Sequence, residues 1–233
     1  MTVFVTGGLG FIGSNFVFAH LKRHPADYVV IIDNYSYAAN SKNIYGLYED
    51  YRVTIVNCDI ADEDRLAEVY ENYNPTTTYH FAAESHVDNS IAGDDVFVRT
   101  NILGTHNILK CIRKYGGRLV HVSTDEVYGS LGAYEAGFNE KTPYDPRNPY
   151  SATKAASDHL VRAYINTHKI EAVVTNCSNN YGPRQHSEKF IPTVIRKAKA
   201  NEPIPVYGTG QNVRDWLFVD DHCDAILTIT DNF

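Results

Sequence analysis

Residues 3–13 read Val-Phe-Val-Thr-Gly-Gly-Leu-Gly-Phe-Ile-Gly, an apolar strand-like run that enters three glycines spaced three apart and continues into a helix-period stretch. This feature constrains the fold most. Glycine permits a tight turn and lets backbone approach a pyrophosphate, whose charge the positive end of the following helix would favour. Gly7, Gly10 and Gly13 supply that turn, although their spacing differs from G-x-G-x-x-G. Asp33 ends the next strand-like run, where a carboxylate would hydrogen-bond an adenosine ribose. It would also repel a 2′-phosphate, and no arginine follows it in Asn34-Tyr35-Ser36, so NAD is expected rather than NADP.

The pattern then repeats. Val3–Thr6, Tyr28–Asp33, Arg52–Asn57, Thr77–Phe81, Arg118–Ser123 and Ala172–Asn176 are strand candidates rich in Val, Ile and Thr. Between them Ile12–Arg23, Asp62–Tyr73 and Val96–Tyr115 carry helical periodicity, and Tyr150–His168 and Asp220–Thr230 follow later. Apolar strands alternating with helices predict an α/β fold, a doubly wound (Rossmann) parallel sheet covered on both faces. Residues 1–176 are read as the NAD-binding domain carrying the catalytic residues. After Asn176 the texture breaks at Gly182-Pro183, Pro192, Pro203 and Pro205, so 177–233 is read as a smaller lobe, C-terminally incomplete because the chain stops at Phe233.

Composition narrows the function classes. A formal charge of -7 without a Lys/Arg run speaks against a nucleic-acid surface. The apolar blocks fall short of the ~20 residues of a membrane span, and Met1 leads straight into a strand, so no membrane partner and a cytoplasmic location are expected. Cys58, Cys111, Cys177 and Cys223 form no C-x-x-C pair, which argues against a zinc site or a disulfide framework, and no metal is expected.

Catalytic chemistry concentrates later in the chain. Tyr150-Ser151-Ala152-Thr153-Lys154 places a phenol and an ammonium on one helix face. A nearby lysine cation would favour the phenolate and draw the phenol from ~10 toward neutral pH, fitting it to take a proton from an alcohol during hydride transfer. At the end of the fifth strand stands Thr124-Asp125-Glu126. With Asp125 protonated and Glu126 ionised, the pair would act as acid and base in one elimination. Asp59-Ile60 and Phe81-Ala82-Ala83-Glu84 fall at carboxyl ends of strands, where a dinucleotide would lie. Arg214 has the donor fork that binds a diphosphate.

These strings, together with Ala82-Ala83-Glu84-Ser85-His86-Val87-Asp88, Asn176-Cys177-Ser178-Asn179-Asn180-Tyr181-Gly182-Pro183 and Pro205-Val206-Tyr207-Gly208, resemble the dTDP-glucose 4,6-dehydratase family of extended short-chain dehydrogenases along the whole chain. The adjacent Asp-Glu pair discriminates most, since related epimerases and decarboxylases share the glycine turn and Y-x-x-x-K without it. The resemblance implies that Tyr150 takes the sugar 4-hydroxyl proton with Thr124 and Lys154 assisting, that Glu126 removes the C5 proton, and that Asp125 protonates the departing C6 hydroxyl. It implies NAD contacts at Phe11, Ile12, Asp33, Asn34, Tyr35, Ser36, Asp59, Ile60, Phe81, Ala82, Ala83, Ser85, Thr100 and Asn180. It implies nucleotide-sugar contacts at Ser85, Thr124, Asn179, Lys189, Phe190, Val206, Tyr207 and Arg214, and a homodimer through Val96–Tyr115 and Tyr150–His168. His86 is as readily a helix-start residue as an acid or base. A UDP-glucose dehydratase, a 4-epimerase and a silent NAD-binding regulator are the competing expectations.

Overall fold

The computed structural model describes residues 1–132, 134–206 and 208–233. Six parallel strands form one sheet in the order β3-β2-β1-β4-β5-β6: β1 Thr2–Thr6, β2 Tyr28–Asp33, β3 Val53–Asn57, β4 Thr77–His80, β5 Arg118–Thr124 and β6 Glu171–Cys177. The order reverses between β1 and β4, and that switch point opens a crevice at the strands' carboxyl ends. The helices are α1 Phe11–Arg23, α2 Glu63–Tyr73, α3 Val87–Ala92, α4 Asp95–Phe97, α5 Thr105–Tyr115, α6 Pro149–His168, α7 Phe190–Lys199 and α8 Val219–Asp231.

Alternation along each strand feeds two cores. Val3, Val5, Val29 and Ile31 face one side with Phe16, Val17 and Leu21 of α1 and Val219, Cys223, Ile226 and Leu227 of α8. Phe4, Val30 and Ile32 face the other with Leu66, Val69 and Tyr70 of α2, Ile108, Leu109 and Ile112 of α5, and Val161 of α6. Burial on both faces is what near-continuous apolar strands require. α8 thus returns from the end of the chain to the layer of α1, while a two-stranded parallel sheet, β7 Asn179–Tyr181 with β8 Trp216–Phe218, lies apart from the main one. No helix among the described residues is long and apolar enough to cross a membrane.

The structure departs from the expected elements at three places. Val96–Tyr115 is not one regular helix, because Val98–Gly104 between α4 and α5 is a π-helix. A 3-10 helix spans Ser41–Leu47, and α3 occupies a stretch with no helical expectation. His86 caps α3, its Nδ1 accepting from the Asn89 amide at 3.4 Å, which is the helix-start alternative of the two roles the sequence left open for it.

Burial also sets an acid limit on this fold. His20 and His222 are buried, and desolvation lowers each from 6.5 to about 4; burial lowers His80 and His121 as well. The unfolded chain takes up these protons near pH 6.5 and the folded chain refuses them, so stability is full above that pH and falls as pH drops toward about 4. Each tenfold difference in proton affinity between the folded and unfolded chain is worth ~1.4 kcal/mol, so a loss of several kcal/mol is expected. Urea midpoints measured across this range check it; a flat profile would show that the histidines are not held neutral.

Candidate active site

The glycine turn is built to closest approach. A Cβ on Gly13 would stand 2.3 Å from the Gly7 carbonyl oxygen, and one on Gly7, at φ +68, would stand 2.8 Å from Ala82 backbone. Only glycine lets β1, α1 and the strand-end segment after β4 meet here. Gly13→Ala is therefore expected to cost about 1–3 kcal/mol of stability, as overpacking does, and to weaken dinucleotide binding. Denaturant unfolding with a nucleotide titration measures both; a neutral result on both would mean that the turn is not tight.

Above the turn lies a cavity of about 570 Å³, within the range for small-molecule sites. Gly7, Gly10, Phe11, Ile12 and Gly13 form its floor, and Asp33, Asn34 and Ser36 come from the end of β2. Asp33 accepts from the Leu9 amide at 3.1 Å and from the Tyr35 amide at 3.0 Å, so its carboxylate is aimed by the backbone of the turn. Burial raises its pKa. Ile60, Phe81, Ala82, Ala83, Ser85 and Thr100 add a largely apolar wall, and Thr124, Glu126, Tyr150 and Lys154 stand on the same cavity with Asn179, Asn180, Lys189 and Phe190. The tight glycine floor, an oriented carboxylate and small residues at the switch point fit a dinucleotide. Among the described residues no cluster of His, Cys, Asp or Glu is placed to hold a metal.

Five expected contacts stand outside the cavity wall. Asp59 spends one carboxylate oxygen on the Ala61 amide at 2.9 Å and the other on Arg99 at 2.6 Å, which turns it away from the cavity. Tyr35 takes a left-handed backbone, φ 56, and its side chain is half exposed. Val206 is 69% exposed and Arg214 is exposed, with its guanidinium donating to the Val213 carbonyl. Asp125 is held by Thr124, whose hydroxyl donates to Oδ1 at 3.3 Å. Tyr207 lies outside the described residues.

Local sequence explains how the reacting groups are placed. Asn148 caps α6, accepting from the Ser151 amide at 2.8 Å while Ser151 Oγ accepts from the Asn148 amide at 3.2 Å, and Pro149 occupies the first turn. This capping box puts Tyr150 at the helix start, facing β5. Thr124 ends β5 and caps a 3-10 turn over Asp125–Tyr128 through the Glu126 amide at 3.2 Å. Asn148 also donates to Glu126 Oε2 at 3.4 Å, tying the two turns together.

The electrostatics correct one expectation. In the protein alone burial and then Glu126 outweigh any pull from Lys154 and push the Tyr150 phenol well up. The lysine ammonium is spent on the Val122 carbonyl at 2.9 Å. Burial likewise raises Asp125 and Glu126, outweighing Arg214 in both cases, so each carboxyl binds a proton more readily than an exposed one. Lys189 reaches the Ser85 carbonyl at 3.3 Å and is lowered by burial.

Two supports were not foreseen. Asn101, in the π-helix, accepts from the Glu84 amide at 2.9 Å and donates to the Glu84 carbonyl and to Thr153 Oγ1 at 3.1 and 3.0 Å. It clamps the segment after β4 to the helix bearing Tyr150; beside Arg99 and Thr100, and with Asn107 further on, nothing in the sequence singled it out. His222 of α8 donates from Nδ1 to Asn180 Oδ1 at 2.8 Å, anchoring a cavity residue from the far end of the chain.

A doubly wound sheet with a tyrosine and lysine on the helix at its carboxyl edge defines the short-chain dehydrogenase class. Residues 4–232 match the family model described as GDP-mannose 4,6 dehydratase. A dTDP-glucose 4,6-dehydratase of Xanthomonas campestris pv. campestris is 49% identical over 98% of this chain and 67% of that protein, and one of Mycobacterium tuberculosis is 45% identical over 99% and 69%. A Streptomyces venezuelae dTDP-glucose 4,6-dehydratase solved with NAD bound superposes at TM-score 0.93, with 45% identity over 99% of this chain and 72% of that one. The chain belongs to the dTDP-glucose 4,6-dehydratases of the nucleotide-sugar dehydratase family.

Proposed function

We propose that this chain is an NAD-dependent hydro-lyase that converts dTDP-glucose to dTDP-4-keto-6-deoxyglucose. The observation that carries the reading is the raised acid pair, Asp125 and Glu126, on a turn tied to the helix start of Tyr150 beside a dinucleotide-shaped floor. NAD, when bound, supplies the hydride acceptor for C4, the hydride donor for C6 and a positive ring charge. Tyr150 accepts the 4-hydroxyl proton as the 4-ketone forms, helped by Thr124 and by the charge of Lys154. The ketone acidifies C5–H, and Glu126 takes that proton. Asp125 gives its proton to the C6 hydroxyl, which departs as water. Glu126 returns a proton to C5, and the proton gained by Tyr150 balances the one lost by Asp125, so one water is the net loss. A 4-epimerase expels nothing from C6 and has no use for a protonated Asp125.

Arg214 and Lys189 are the cations we assign to the diphosphate, with Phe190 and Val206 beside the base. A cytoplasmic location belongs to the same proposal. So does a homodimer through the α4–α5 and α6 helices, supported by exposed Val96, Val98 and Leu103. The test uses dTDP-glucose deuterated at C4. Deuterium recovered at C6 of the product supports the reading, and deuterium released to solvent or kept at C4 overturns it.

A further inference from the structure

Beneath Tyr150, α6 carries a buried carboxylate, Asp158, that the reaction above does not use. Lys154 and Asp158 lie four residues apart on one face of the helix, and both are buried, at 4% and 0% exposure; they make no direct ion pair, since the ammonium donates to the Val122 carbonyl at 2.9 Å. Asp158 is saturated with donors. Oδ1 accepts from His121 Nε2 at 3.1 Å, and Oδ2 accepts from Ser123 Oγ at 2.9 Å, Tyr144 Oη at 2.9 Å and Asn176 Nδ2 at 3.2 Å. These donors come from β5, β6 and the loop before α6, so the carboxylate is locked in place by three elements.

The groups facing this pair are neutral. His80 of β4 and His121 of β5 are lowered by burial, while burial raises Tyr128, Tyr144 and Cys177, the last to about 12. Arg162, on the exposed side of α6, donates to the Tyr144 hydroxyl and lies over its ring. His121 Nδ1 has no partner among the described residues, consistent with a neutral ring donating through Nε2. Burial opposes the charge on Lys154, and Asp158 is the foremost group favouring it. Burial also opposes the charge on Asp158, but His121, Lys154 and Ser123 outweigh it. A buried ammonium without a counter-charge gives up its proton.

We propose that Asp158 is a positioning residue for the reaction: locked between β5, β6 and α6, it is the carboxylate that keeps Lys154 charged beneath Tyr150. It does not touch substrate. Its effect passes through the lysine, whose charge the phenolate needs when it takes the alcohol proton. The inference rests on the proposed function for its kinetic reading, but the charge of Lys154 can be read without turnover.

The experiment compares Asp158→Asn with the unmodified chain for kcat and KM on dTDP-glucose across the neutral and alkaline range, with NAD content measured on each sample. The amide keeps the shape and an acceptor oxygen but removes the charge. Expected is an alkaline limb of kcat displaced by about one pH unit or more, so that kcat on that limb is about tenfold lower than in the unmodified chain, with KM and NAD content kept. The alkaline limb of the kcat profile moves to lower pH, because an uncompensated lysine loses its proton sooner. A kcat that falls equally at every pH, or does not fall, overturns the proposal. In parallel, carbon-13 NMR of lysine-labelled unmodified protein follows the Lys154 ε-methylene, assigned by its loss in Lys154→Arg. A charged Lys154 at neutral pH is expected, and a neutral one overturns the proposal even if Asp158→Asn fails to fold. An unmodified chain that turns over no nucleotide sugar refutes the proposed function instead, and the NMR titration still decides this inference.

Discussion

Tyr150→Phe is expected to lower turnover of dTDP-glucose by about 10²–10⁴-fold, the range for losing a positioned proton acceptor, while NAD stays bound. The substitution removes one oxygen and nothing else of consequence. The ring is 8% exposed, so its burial is retained, and the capping box that sets the helix start uses Asn148 and Ser151 rather than the phenol. Burial and Glu126 hold the phenol well up in the protein alone. The pH profile of kcat should therefore differ from that of the isolated phenol. Steady-state kinetics and nucleotide content of the purified variant measure the effect, and unchanged turnover would remove Tyr150 from the mechanism.

Converting both Asp125 to Asn and Glu126 to Gln is expected to leave oxidation at C4 intact and to stop the elimination. Product formation should fall by about 10²–10⁴-fold or more, because acid and base are lost together. The variant should accumulate reduced nicotinamide absorbance on mixing with dTDP-glucose, which the unmodified chain discharges to C6. Burial raises both carboxyls, and Asp125 adds to the rise in Glu126, so a protonated carboxyl beside an ionised one is favoured over two ionised ones. That is the state the elimination needs. Normal product formation by the double variant would exclude the pair.

Much of this fold could be read from periodicity. β2 falls on Tyr28–Asp33 as expected, and the other five strands of the main sheet lie within a residue or so of their expected spans, because strands buried on both faces leave continuous apolar blocks. The π-helix at 98–104 escaped because its side chains keep a helical apolar pattern, while the change lies in backbone hydrogen bonding. β7 and β8 are three residues each and too short to carry a period. The cavity gathered most of the expected contacts, since the glycine turn and the strand ends fix it. Asp59 was drawn away by Arg99, a pairing across 40 residues that local pattern cannot show. The supports, Asn101, His222 and Asp158, are legible only once β4, β5, β6 and α8 are brought together.

The most direct test of the central claim is to incubate the purified chain with dTDP-glucose and, separately, with UDP-glucose, following the alkaline absorbance of a 4-keto-6-deoxy sugar without added reductant. Product from dTDP-glucose, with little or none from UDP-glucose, is the predicted result. No product from dTDP-glucose in a sample that carries bound NAD would contradict the account.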